Sequence, residues 1–239
     1  MDMKTRGDGP LLLLMHGGGG NGDSYDAVLD ILAEQYTVVT YTQREGGPAE
    51  RADEAAQVLA DLGAKKAAVF ASSAGALAAL DLVARHPERV GLLIAHEPPM
   101  VSLLPDADEL LQQFDDLVGQ PDSGVRFMRL TGVLGPVPEA MLVAAGGQFQ
   151  VDTKMGTYLG WRPDLSAIRD GEVKVVMAAG KQVVGTIPFR TAEAVADVIK
   201  APMVIFPGNH FGYVPLPGVN DEAAFARTLL DLLRSQSPW

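Results

Sequence analysis

Short unbroken apolar runs punctuate the chain at 11–16 (LLLLMH), 36–42 (YTVVTYT), 67–72 (AAVFAS), 90–96 (VGLLIAH), 173–179 (VKVVMAA) and 201–208 (APMVIFPG). None alternates polar with apolar residues, the pattern expected of strands buried on both faces of a parallel sheet. Longer stretches with helical spacing lie between them, at 24–34, 49–62, 74–85, 190–199 and 221–235. The first is expected to start at an Asp23/Ser24 cap. The last is expected to start at an Asn220 cap, with Phe225, Leu229 and Leu232 on one face. Such alternation implies right-handed βαβ crossovers. The predicted fold is therefore α/β, a doubly wound, mainly parallel sheet of about six strands.

One interval breaks the rhythm. Residues 97–172 separate the fourth and fifth runs by about 75 positions, far more than one crossover helix needs. The segment carries helical patterns (DADELLQQFDDLVG, PEAMLVAAGGQF) and gathers Phe114, Phe127, Met128, Met141, Phe149, Met155, Tyr158 and Trp161. It reads as a helical cap inserted over the sheet edge, leaving 1–96 and 173–239 as the core. Most of its large apolar residues are expected to fill the cap's own interior, and a few to face a ligand.

Composition narrows the function classes. The chain has 239 residues and 47% hydrophobic content, enough for one well-buried domain. A formal charge of −11 argues against nucleic acid, which needs clustered Lys and Arg. No cysteine occurs, so thiolate chemistry and disulfides are excluded. Four histidines without ligand-type spacing predict no metal site, and no cofactor motif stands out. Lys4 and Arg6 precede LLLLM, but that run is too short for a signal peptide, and no run reaches the ~18 residues of a membrane span. The expectation is a soluble cytoplasmic protein with no membrane partner.

Three loops at the predicted carboxyl edge of the sheet carry the candidate chemistry, because ligands of open α/β sheets bind there. The first is VFASSAGALAALDLVARHPERV, residues 69–90. A serine on a sharp strand-to-helix turn needs small residues two before and two after it. Ser73 has Ala71 and Gly75 there; Ser72 has Phe70 and Ala74, and Phe fails. Ser73 is thus the candidate nucleophile, against the plainer reading of a buried serine capping a helix. The second loop is HGGGGNG, residues 16–22. Its backbone N–H groups, Gly18 first and Gly17 next, could join that of Ala74 in an oxyanion hole. A phosphate cradle fits less well, since Thr40, Tyr41 and Thr42 stand where an acidic residue would end the second strand. The third is FPGNHFGYVPLPG, residues 206–218, where His210 lies in a Gly- and Pro-rich loop ill-suited to a core role. His86 has a helix end to favour, His16 a glycine loop to brace, and His96 ends a strand.

Taken together, the HGGGG loop, the order Ser73 then His210, the insertion after the fourth strand, and the RHPERV and AHEPP stretches resemble the α/β-hydrolase superfamily, in particular small bacterial esterase-like members. The resemblance implies a nucleophilic Ser73, a general base His210 and an oxyanion hole at Gly18 and Ala74. It also implies that the usual N-terminal β-hairpin is missing or vestigial. One departure bears on function. Between Val173 and Ala192 there is no Asp or Glu, so the family's usual acid position is vacant, and Lys181 stands there instead. A cation beside His210 would disfavour its protonation. The substitute that the resemblance offers is Glu97, at the end of the neighbouring strand; the alternative is that Glu97 holds a hinge with Pro98 and Pro99. A second departure is YTQREGGPAE where an Asp-Arg-x-Gly-type turn is common. The expected activity is hydrolysis of a hydrophobic carboxylic ester, thioester or lactone. The alternatives are a lyase, cyclase or isomerase of secondary metabolism on the same scaffold, or a non-catalytic ligand-binding protein.

Overall fold

The computed structural model describes residues 2–236; Met1 and 237–239, the outermost residues of the two predicted core segments, lie outside the described residues. Parallel strands form over β2 (Leu11–Met15), β3 (Thr37–Tyr41), β4 (Ala67–Ser72), β5 (Val90–His96), β6 (Lys174–Gly180) and β7 (Met203–Phe206), one for each apolar run. A seventh strand, β1 (Met3–Arg6), pairs antiparallel with β3. The sequence reading of about six strands misses it, because MKTR is polar and lies largely exposed at the sheet edge. The strand order is β1-β3-β2-β4-β5-β6-β7, so both edges of the sheet are strands of four residues.

The helices are α1 (Asp26–Ala33), α2 (Pro48–Asp61) and α3 (Ala74–Arg85); then α4 (Ala107–Asp115), α5 (Ser123–Thr131), α6 (Glu139–Gly146), α7 (Lys154–Gly160) and α8 (Leu165–Asp170) between β5 and β6; then α9 (Ile187–Ile199) and α10 (Glu222–Gln236). Four starts differ from expectation, α2 by a single residue, at Pro48. Helix α1 begins after Tyr25, because Ser24 is already spent on the turn before it: its Oγ accepts the Asn21 N–H at 3.0 Å. Helix α9 begins at Ile187, with Pro188 in its first turn, where a missing N–H costs nothing. Helix α10 is capped by Asp221, whose Oδ1 accepts the Ala224 N–H at 2.8 Å, and not by Asn220.

Alternate residues of each strand face opposite layers. Leu13, Val39, Val69, Leu93 and Met177 pack with α2, α3 and α9. Leu12, Val38, Phe70, Ile94 and Val176 pack with α1 and α10. Both sets are buried, which is why the strands read as continuous apolar runs. Burying each such side chain contributes about 1.5–3 kcal/mol. Exposed ion pairs contribute at most about 1 kcal/mol each, so the two-sided core holds the sheet.

The segment between β5 and β6 has apolar clusters of its own. Phe114, Phe127 and Phe149 stack in series, with ring centroids 5.9 and 5.1 Å apart. Met128, Val133 and Leu134 form a second group against Phe211. Tyr158, by contrast, packs against the core of the sheet.

Candidate active site

Strand β4 ends at Ser72 and α3 begins at Ala74, so Ser73 alone makes the turn. Its φ of 56° and ψ of −127° are rare for a residue with a Cβ, and such a conformation costs roughly 1–3 kcal/mol. Packing forces it. A Cβ on Gly75 would lie 2.4 Å from the His16 carbonyl oxygen, so only glycine lets α3 approach β2 this closely. The Ser73 N–H is anchored to the His96 carbonyl at 2.8 Å. Ser73 itself is half-buried, whereas Ser72 is fully buried, its Oγ 3.1 Å from His96 Nδ1.

The glycine loop sits against this turn. A Cβ on Gly17 would come within 3.0 Å of Ser73 Cβ and 3.6 Å of its Oγ, and one on Gly18 would lie 3.9 Å from Ala74 Cβ. The N–H of Ala74 belongs to the first turn of α3, where helical bonding leaves donors free. His16 braces the loop, as the sequence suggested. Its Nδ1–H donates to the Gly17 carbonyl at 2.8 Å, and its Nε2 accepts the Gln43 N–H at 3.1 Å. The ring is therefore neutral; burial lowers its pKa, aided by the Arg51 charge. Gln43 Nε2 returns a bond to the His16 carbonyl at 2.7 Å. This second brace had a faint sequence signal, a Gln just past an apolar strand.

Glu97 is the candidate acid. It follows β5 directly, is fully buried and has a φ of 49°. Its Oε1 accepts the Gly180 N–H at 2.6 Å, and its Oε2 accepts a short hydrogen bond from His210 Nδ1. Burial would raise the carboxyl pKa, but the neighbouring His96, the His210 hydrogen bond and charge, and the Gly180 N–H outweigh that and hold it below the usual carboxylate range. Burial in turn pushes the His96 pKa down to about 4. His96 Nε2 stands 3.8 Å from Glu97 Oε1 without a hydrogen bond. The sequence reading passed over His96 as a strand end. Its place in an unbroken apolar strand was the missed sign that its ring would be buried.

His210 is buried too, in a loop held from three sides. Its N–H donates to Val133 O at 3.1 Å, and Asn209 Nδ2 donates to Leu134 O at 3.0 Å. Asn220 Oδ1 accepts the Asn209 N–H at 3.2 Å, and Asn220 Nδ2 donates to the Phe211 and Val214 carbonyls. This explains why Asn220 is not available as a cap. Lys181 is exposed, and Gln182 Nε2 donates to the Val219 carbonyl at 2.7 Å, bracing the same loop. His86 caps the end of α3 as expected, and its Nε2 lies within hydrogen-bond distance of Asp53 Oδ1 at 2.8 Å.

Among the described residues, one group has metal-ligand spacing: single atoms of His96, Glu97 and His210 lie within 4.8 Å of one another. Glu97 and His210 already hold each other there. No helix is long and apolar enough to cross a membrane among the described residues.

A buried carboxylate is bonded to His210 Nδ1, and a strained serine turn lies beside the glycine loop. Comparison with known proteins bears on the family and the fold. The chain is 35% identical over 232 residues to "Uncharacterized hydrolase YraK" of Bacillus subtilis (strain 168), covering 88% of this chain and 85% of that one. Its fold matches Est816, described as an N-acyl homoserine lactone degrading enzyme, with a TM-score of 0.68 at 16% identity over 98% of this chain and 95% of that one. It also matches a thermophilic esterase from Thermogutta terrifontis, with a TM-score of 0.69 at 16% identity over 99% and 93%. The Alpha/beta hydrolase family matches residues 12–228, and the chain belongs to that family.

Proposed function

We propose that the protein is a serine hydrolase acting on a hydrophobic carboxylic ester, thioester or lactone. The observation that carries this reading is the His210–Glu97 pair, locked by the Gly180 N–H at the sheet edge where Ser73 makes its turn. His210 Nε2 takes the proton as Ser73 Oγ attacks the carbonyl carbon. Glu97 stabilises the imidazolium through Nδ1–H. The N–H groups of Ala74 and of Gly18, with Gly17 beside it, stabilise the developing oxyanion. His210 then protonates the leaving group, and water repeats the sequence on the acyl-enzyme. Residues 97–172 act as a helical cap whose apolar side chains select the acyl or alcohol group.

The non-hydrolytic reading draws on the vacant acid position after β6. Glu97 supplies a carboxylate from β5 instead, which favours hydrolysis. A fluorophosphonate probe with intact-mass readout tests the proposal. Rapid labelling that is lost in Ser73→Ala is the expected result, with turnover of short-chain p-nitrophenyl esters beside it. Absence of labelling in folded protein would sink the reading, and ligand-induced stabilisation without turnover would favour a receptor.

A further inference from the structure

Arg51 lies in the first turns of α2, on the side of the site formed by the end of β3 and the loop after it. Its Nε and Nη1 are buried without a hydrogen-bond partner among the described residues. A buried acid of the same helix is engaged elsewhere. Glu54, one turn further along α2, is buried and gives Oε1 to Arg44 Nε at 2.7 Å and Oε2 to the Arg44 N–H at 2.9 Å. The guanidinium carbon of Arg51 lies 5.3 Å from the centroid of the Tyr158 ring, a cation–π contact that roofs it with α7. That roof is tied down by the Tyr158 hydroxyl, which donates to the Gly46 carbonyl, and by Lys154 on Glu45 at 3.1 Å.

The surroundings share one deficiency. The Tyr41 hydroxyl, which feels the Arg51 charge, is buried and unpartnered, and so is Gln43 Oε1. Donors therefore outnumber acceptors. Leaving buried donors unpaired is costly, and most of all for a cation. Gln43 also links this region to the glycine loop, since it grips His16 on the far side of Gly17 from Ser73. The overall charge of −11 repels anions at long range, so an anionic ligand would need a local cation of this kind.

We propose that Arg51, beneath Tyr158, is a subsite for a carboxylate carried by the substrate away from its scissile bond. Nε and Nη1 each flank Nη2, so a carboxylate can take one oxygen on Nη2 and the other on either of them. The inference rests on the hydrolase reading and narrows it, from hydrophobic esters in general to esters, thioesters or lactones bearing a second, free carboxylate. That carboxylate belongs either to the acyl group or to the alcohol.

Paired substrates distinguish the two sources. For the acyl side, mono-phenyl adipate is compared with its methyl ester; for the alcohol side, 4-carboxyphenyl hexanoate is compared with its methyl ester. The expected result is a kcat/KM at least tenfold higher for the free acid in one pair. Arg51→Gln should collapse that ratio, and Arg51→Lys should retain part of it because its ammonium keeps the charge but not the fork. A binding arm works without turnover. Adipate should raise the Tm of Ser73→Ala protein and not that of the Ser73→Ala/Arg51→Gln double variant. No preference in either pair, a ratio untouched by both Arg51 variants, or equal stabilisation of the two proteins by adipate would overturn the subsite. If Ser73 is never labelled and no ester is turned over, the hydrolase reading fails while the adipate measurement still decides the subsite.

Discussion

Ser73 and Glu97 follow adjacent parallel strands, and both hold a positive φ, 56° and 49°. Each ties its N–H to the next strand: Ser73 to the His96 carbonyl at 2.8 Å, Glu97 to the Ala178 carbonyl at 3.0 Å. The same backbone device produces opposite exposures. At Ser73 the turn leads into α3 and leaves the residue partly exposed. At Glu97 the chain runs into Pro98 and Pro99, and the carboxylate is sealed off completely. Pro98 sharpens the constraint, because a residue before proline favours extended backbone. Strain thus presents a group at one strand end and hides its electrostatic partner at the next. On the proposed mechanism the hydroxyl meets the substrate, while the carboxylate meets only the His210 imidazole.

Breaking the comparison at Ser73 has the largest expected effect. Ser73→Ala should cut ester turnover roughly 10⁵-fold while leaving the Tm within a few degrees, as measured by burst kinetics and thermal unfolding. At the other end, Glu97→Gln should cost roughly 10⁴-fold in kcat, because the amide cannot stabilise the His210 imidazolium. A Glu97→Gln protein that is labelled as fast as wild type would remove Glu97 from the mechanism.

Acid sharpens the hidden side. His96 has a folded pKa of about 4 against 6.5 for the free group, so the unfolded chain binds the extra proton between those values. Its contribution to stability is present above pH 6.5 and lost as pH falls toward 4, roughly 3 kcal/mol in all. The lowered carboxyl of Glu97 acts in the same sense at more acidic pH. Denaturant titrations from pH 7 to 4 should show the decline, and His96→Asn should flatten it. Smallest of all, Ser73→Gly should be more stable than Ser73→Ala by about 1 kcal/mol, since glycine adopts the turn without strain. Equal midpoints for the two variants would mean that the turn stores no strain.

The fold was legible where burial on both faces imposed one pattern. Every parallel strand announced itself as an apolar run, because each residue from Leu12 to Met15 or from Val90 to His96 meets a packed layer. Strand β1 did not, since an exposed edge strand needs no apolar residues. Ser73 was legible because the space between α3 and β2 dictates its small neighbours. Glu97 was reachable through the resemblance alone; the residues themselves left it open between acid and hinge. His96, Asn220 and Arg51 were read wrongly or not at all. Their roles depend on groups far away in sequence, and local spacing carries no record of those.

The sheet's two short edges have a further consequence. An open sheet exposes rows of unpaired backbone groups, and these invite the edge of another molecule. Here β1 carries Lys4 and Arg6, and Lys4 is held in ion pairs with Asp23 and Asp26 at 2.7 and 2.8 Å. At the opposite end β7 lies between Pro202 and Pro207, neither of which has an N–H to lend to an incoming strand. Charge guards one border and missing donors guard the other, so further strands cannot readily be added and aggregation by sheet extension is opposed at both ends.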